Sequence, residues 1–144
     1  MMDNVILLDL DGVMIIHPPW RDGEKLDDGF AAFTEESVEC LNEIVHQTGY
    51  DIVLSSSRRL TIDIDTMNGY FKTRGVIKPI KAYMPVYHTG AWWRRVEEIE
   101  QFLADNKSKN YMIIDDDKSL GDLKDKSDWI QTYMSIGLKS ECYE

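Results

Sequence analysis

The chain has 144 residues, 43% of them hydrophobic and 29% charged, values that suit one ordinary globular domain with room for a real core. A formal charge of −10 excludes broad, sequence-blind binding to nucleic acid, which needs a basic face; it leaves room for a small basic site, or for one whose positive charge comes from a metal. No stretch reaches membrane-spanning length, the apolar N-terminal run lacks a basic lead-in, and Cys40 and Cys142 fit no metal spacing, so the expected setting is cytoplasmic with reduced thiols.

The first element is Val5-Ile6-Leu7-Leu8, an apolar run that reads as a strand buried on both faces of a parallel sheet. Asp9, Asp11 and Gly12 follow at once. If the strand conformation persists, alternation puts Asp9 and Asp11 on one side. Two carboxylates that close repel unless a cation sits between them, and Mg²⁺, which takes carboxylate, phosphate and water oxygens, is the natural candidate. An acidic turn after a core strand is the plainer alternative, and the ends of later strands decide between the two. Next, His17-Pro18-Pro19-Trp20-Arg21-Asp22-Gly23 and Asp27-Asp28-Gly29 predict a loop or short hairpin over about residues 14–33. It reads either as a flap bringing Trp20 or Arg21 to a substrate or as a surface loop. His17 is a proton shuttle in the first case and a structural or exposed histidine in the second.

Thr34 is the expected N-cap of a helix with Glu35 and Glu36 in its first turn, an apolar face of Val38, Leu41, Ile44 and Val45, and Gly49 at its end. Asp51-Ile52-Val53-Leu54 is a second buried strand, running into Ser55-Ser56-Ser57-Arg58-Arg59. Hydroxyls and cations at the carboxyl end of a strand suit a phosphate. Ser56, Arg59 and the turn at Gly12 are therefore candidate substrate contacts, and a solvated serine-rich turn is the alternative. A helix is expected from Leu60 to Gly75 and a short strand over Ile80 to Met84. A second long helix is expected from about Ala91 to Ala104, with Trp92, Val96, Ile99 and Leu103 on its buried face. On that wheel Arg95 flanks the apolar stripe and Arg94 points away. Trp93 lies off the stripe, either covering part of a site or exposed.

Tyr111-Met112-Ile113-Ile114 is the next buried strand, and it ends in Asp115-Asp116-Asp117. Two separate units thus place carboxylates just past apolar strands, and in an open parallel sheet those ends line the edge where ligands bind. Neither cluster has the glycine or the closing glutamate of a calcium loop. A last strand is expected at Trp129–Thr132, with a short tail from Gly137-Leu138.

Four pieces taken together, Asp9-Leu10-Asp11-Gly12-Val13, the serine ending Ile52-Val53-Leu54-Ser55, a basic residue opening a later helix, and Ile113-Ile114-Asp115-Asp116-Asp117, resemble the four motifs of the haloacid dehalogenase (HAD) superfamily. The run from Thr48-Gly49 through Ser55-Ser56-Ser57 to Arg59, Arg95 with Glu98-Ile99, and Gln131-Thr132 with Gly137-Leu138 are similar to its small capless members, such as the phosphatase-like domain of RNA-repair proteins. The resemblance implies a three-layer α/β fold over residues 1–144, with a Rossmann-like parallel sheet and no sizeable cap domain. It implies a Mg²⁺-dependent phosphomonoester hydrolase with Asp9 as nucleophile, Asp11 as general acid and base, and Ser55 and Arg95 on the transferring phosphoryl group. Asp116, Asp9 and the backbone carbonyl of Asp11 would hold the metal, with Asp115 supporting it directly or through the other ligands.

The family often has tryptophan where Arg58 stands, and its third-motif cation is frequently lysine. That leaves Arg94, Lys78 and Lys81 as alternatives to Arg95. An uncapped site suits a phosphorylated nucleotide or nucleic-acid end, gripped at its terminus and without an extended groove. Sugar phosphates, phosphoproteins and a catalytically silent binding role on the same fold are the alternatives. A phospho-accepting receiver domain would want its acceptor aspartate where the chain has Ser55.

Overall fold

Short apolar runs spaced by helical stretches leave each run to pair with another far away in sequence, and the result is an all-parallel sheet. The computed structural model describes residues 3–20, 23–87, 94–123 and 128–142. Its strands are β1 (Asn4–Leu8), β2 (Asp51–Leu54), β3 (Ile80–Tyr83), β4 (Asn110–Asp115) and β5 (Trp129–Gln131). They form one five-stranded sheet in the order β3-β2-β1-β4-β5, every pairing parallel. β1 is central, with Leu8 opposite Leu54 on one side and Ile114 on the other.

Alternation along β1 divides the core. Ile6 and Leu8 face α1 (Glu35–Thr48) and α2 (Ile64–Thr73), where Leu41, Ile44, Met67 and Phe71 are buried. Val5 and Leu7 face α3 (Arg95–Asn106), which buries Val96, Ile99 and Phe102. The protein is thus a three-layer α/β structure with a Rossmann-like parallel sheet. Among the described residues β1 and β2 are separated by the loop and α1, and β2 and α3 by a 3-10 turn, α2 and β3, with no cap domain between them. Among the described residues no helix is long and apolar enough to cross a membrane.

Local chemistry sets the helix ends. The Thr34 hydroxyl accepts a bond from the Ser37 amide at 3.1 Å, and Gly49, at φ 68°, closes α1 by donating to the Val45 carbonyl. The helix expected from Leu60 starts late. Ser57–Leu60 forms a 3-10 turn, and Asp63, in extended conformation, caps α2 by accepting from the Thr66 amide at 3.3 Å. The helix expected from Ala91 is described only from Arg95, with Arg94 extended at its N-cap. Phe102 joins its buried stripe, while Leu103 is half-buried. The expectations for Trp92 and Trp93, like that for Arg21, fall outside the described residues.

The loop over residues 14–33 is fastened to α2. Lys25 and Ala31 form an antiparallel bridge, and Phe30 stacks on Tyr70 with ring centroids 4.4 Å apart. Arg74, with only 2% of its side chain exposed, donates to both oxygens of Asp28 and to the carbonyls of Phe30 and Ala31. Trp20 is exposed. The closing segment is no loose tail: Leu138 is fully buried and its amide donates to the Val13 carbonyl at 2.8 Å.

Candidate active site

The carboxyl ends of the three inner strands carry the chemistry. The ladder runs one bond past β1 and β2, with the Asp9 amide on the Ile114 carbonyl at 3.1 Å and the Ser55 amide on the Leu8 carbonyl at 2.9 Å. Asp9, Ser55 and Asp115 therefore emerge side by side at one edge, and all three are buried. The chain does not continue as a strand to Asp11, as alternation predicts. Instead the Leu10 carbonyl accepts from the amides of Val13, Met14 and Ile15, and Gly12 turns at φ 82°. A Cβ at Gly12 would lie 2.1 Å from Asp116 Oδ2, so only glycine lets this turn meet the end of β4. The Thr132 hydroxyl fixes the turn by donating to the Gly12 carbonyl at 2.7 Å.

Asp9, Asp115 and Asp116 each offer a carboxylate oxygen, and these oxygens lie within 4.8 Å of one another. Burial, and then the neighbouring Asp9, push Asp115 well above the usual carboxylate range. Burial also raises Asp9, against the pull of Arg95. Burial and the charge of Asp9 push Asp116 up to about 6. Asp115 Oδ1 accepts from the Asp117 amide at 3.0 Å, whereas the buried Oδ2 has no hydrogen-bond partner. Three carboxylates in one another's field, with a buried oxygen left over, form an all-oxygen donor set that fits a hard divalent cation such as Mg²⁺. The Asp11 carboxylate stands outside this trio, which leaves its backbone carbonyl as the donor expected of it.

Asp11 is held from two directions. Arg58 grips it in a bidentate pair, Nε to Oδ2 and Nη2 to Oδ1, both at 2.9 Å, and His17 Nε2 lies 2.6 Å from Oδ1. Burial lifts its proton affinity, but the bonds and charges of Arg58 and His17 outweigh that and leave it below the usual range. Arg95, at the first turn of α3, donates through Nη1 to the Ser55 carbonyl at 2.5 Å. Its guanidinium lies 3.7 Å from Asp115 Oδ2 and 4.0 Å from Asp9 Oδ1. The Ser55 hydroxyl, buried beside it, has no hydrogen-bond partner.

Not every candidate faces the site. The Ser56 hydroxyl accepts from the Arg58 amide at 3.2 Å and caps the 3-10 turn. Arg59 is spent inside the protein: it donates to the carbonyls of Ser55, Ser56, Met84 and Pro85 and to Glu98 at 3.1 Å. The turn thus points Arg59, expected as a substrate contact, toward β3 and α3, while Arg58 lies against Asp11. Arg94 pairs with Glu97 and Asp122 on the outside, and Lys78 with Asp51 and the carbonyls of Gly49 and Tyr50. Neither of those cations stands among the carboxylates. The joint grip of Arg58 and His17 on Asp11 was the feature least visible in the sequence, which offered only a cationic pair after a strand and a histidine in a separate loop.

A family model described as the HAD domain in Swiss Army Knife RNA repair proteins matches residues 5–142. No curated protein and no solved structure matches the chain. The family match spans every strand of the sheet and all three carboxylates gathered at its edge. The chain belongs to the HAD domain family of Swiss Army Knife RNA repair proteins, whose fold it shares and whose HAD-type phosphatase chemistry is the general reading of its site.

Proposed function

We propose that the protein is a Mg²⁺-dependent phosphomonoester hydrolase that works through an aspartyl-phosphate on Asp9 and acts on nucleotide or nucleic-acid terminal phosphates. The observation that carries this reading is the meeting of Asp9, Asp115 and Asp116 within 4.8 Å, beside a buried serine hydroxyl with no hydrogen-bond partner and the half-buried Arg95. Asp9, Asp116 and the Asp11 carbonyl would hold Mg²⁺, with Asp115 supporting it directly or through them. When bound, the ion supplies the positive charge that lets an anionic nucleophile approach an anionic phosphate.

The chain's own groups account for the rest. An Asp9 oxygen attacks phosphorus as the ester P–O bond breaks, and the leaving oxygen takes a proton from Asp11. Asp11 then takes a proton from water, whose oxygen attacks the same phosphorus and frees Asp9. Ser55 Oγ and Arg95 donate to the phosphoryl oxygens as charge builds on them. Asp11 starts as a carboxylate in the grip of Arg58 and His17. The proton it hands on therefore comes through His17, 2.6 Å away, or arrives with the phosphate monoanion.

The test is hydrolysis of a generic aryl phosphate with and without Mg²⁺, in the wild type and in Asp9→Asn. The amide is nearly isosteric but cannot attack phosphorus. Turnover should require Mg²⁺ and vanish in the folded variant, and beryllofluoride should bind the wild type as a mimic of the phosphorylated aspartate. A folded Asp9→Asn protein that still turns over removes the mechanism.

A further inference from the structure

We infer that Arg58 is a specificity-determining residue, selecting phosphomonoesters whose leaving group carries a negative charge of its own. The inference rests on the phosphatase reading above and names the substrate class for the same site. Arg58 occupies both oxygens of Asp11, and His17 shares one of them. In that reading Asp11 hands its proton to the leaving oxygen, so the leaving group must come within hydrogen-bond reach of a carboxylate that Arg58 grips through both oxygens. The departing group and the Arg58 guanidinium therefore share one corner of the site.

Arg58 is built to stay in that corner. Its guanidinium carbon lies 5.1 Å from the centroid of the Phe30 ring, which is itself stacked on Tyr70 and backed by the buried Arg74. Its side chain is 31% exposed, and Nη1 lies outside the two bonds to Asp11. A neutral leaving group gains nothing from this half-buried cation. An anionic one accepts from Nη1 beside Asp11, a charge-assisted bond of the kind guanidinium makes to phosphate. Among the described residues the neighbouring arginines lie elsewhere: Arg95 sits beside Asp9 and Asp115, where the phosphoryl group is transferred, and Arg59 makes five bonds within the protein. The class that fits is a nucleoside bisphosphate, or an oligonucleotide end whose next linkage is a phosphodiester.

The experiment compares two terminally phosphorylated dinucleotides, one with an ordinary phosphodiester linkage and one with an uncharged methylphosphonate linkage. Both are made with the phosphate at the 3′ or the 5′ end, whichever the wild type hydrolyses faster. The wild type should favour the charged linkage in kcat/KM by roughly tenfold or more, the worth of one charge-assisted hydrogen bond. Arg58→Gln should bring that ratio close to one, and Arg58→Lys should restore part of it. A general loss of folding or of Asp11 positioning lowers both substrates together and does not move the ratio. A wild type that hydrolyses aryl phosphate but does not distinguish the linkages overturns the inference and leaves the phosphatase reading standing, as does a preference that survives in Arg58→Gln. A wild type that hydrolyses none of these esters overturns both.

Discussion

Removing the Arg95 guanidinium takes away the only cation that lies within 4.0 Å of both Asp9 and Asp115 among the described residues. Arg95→Ala is expected to slow aryl phosphate hydrolysis by roughly 10²–10³-fold, the usual cost of one donor aimed at developing charge. Arg94→Ala, whose side chain pairs with Glu97 and Asp122 on the outside, should leave the rate nearly unchanged. Steady-state rates of the two purified variants decide the matter, and a reversed order would hand the role to Arg94. These two arginines could be told apart from the sequence because a helical wheel fixed by Val96 and Ile99 sorts neighbours. Arg58 and Arg59 could not. Which of that pair faces the site depends on a 3-10 turn and on the Ser56 hydroxyl that caps it, and neither leaves a periodic trace. Asp9 and Asp116 were legible as carboxylates just past apolar runs. Their approach is permitted by the missing side chain at Gly12, a reason that only the folded chain reveals.

At the scale of elements, the strands and α1 were readable because apolar runs and capping residues are local signals, whereas the start of α2 was displaced by the 3-10 turn that precedes it. The loop over residues 14–33 was the open question, and its described part forms a wall fastened to α2 by Phe30 stacked on Tyr70 and Arg74 bonded to Asp28. Its clamp is the Asp28–Arg74 pair. The hydrogen bonds from Arg74 hold the Asp28 carboxyl down to about 2, from an ordinary value of 3.8. A carboxyl with a depressed folded-state pKa stabilises fully above its unfolded value and loses that contribution as pH falls through the folded one. The clamp should therefore weaken between about pH 4 and 2. Thermal melts across this range should show a steeper acid loss in the wild type than in Asp28→Asn, and parallel curves would mean the clamp contributes nothing to stability. A loosened wall would also free the Phe30 ring beneath Arg58, so the same variant is a second handle on that corner of the site.

For the whole molecule the governing quantity is a formal charge of −10. An acidic protein that grips only a terminus neutralises few phosphates and releases few counterions. Turnover of a phosphorylated dinucleotide and of a much longer strand should therefore be similar, with only a shallow dependence on salt. Rates measured for both lengths across a salt series test this, and a steep slope with strong length dependence would require a basic groove. The charge, the parallel sheet and the lack of a cap domain were all evident from composition and from the spacing of the apolar runs. The arrangement of the site's mouth was not, because it depends on pairings between segments distant in sequence.

The central position of β1 has a consequence for how the protein comes into being. β1, which Asp9 follows, is synthesised before both of its neighbours in the sheet, and Leu8 needs Leu54 on one flank and Ile114 on the other. Until the second of these is synthesised, the most apolar strand of the chain has one open edge, a template for pairing with any nascent neighbour. Contacts this distant are slow to close, and folding of such topologies lies toward the millisecond-to-second end of the range. Asp9 is thus made before the strands that complete its surroundings, so a ribosome stalled before β4 would hold a chain that has Asp9 but no finished site.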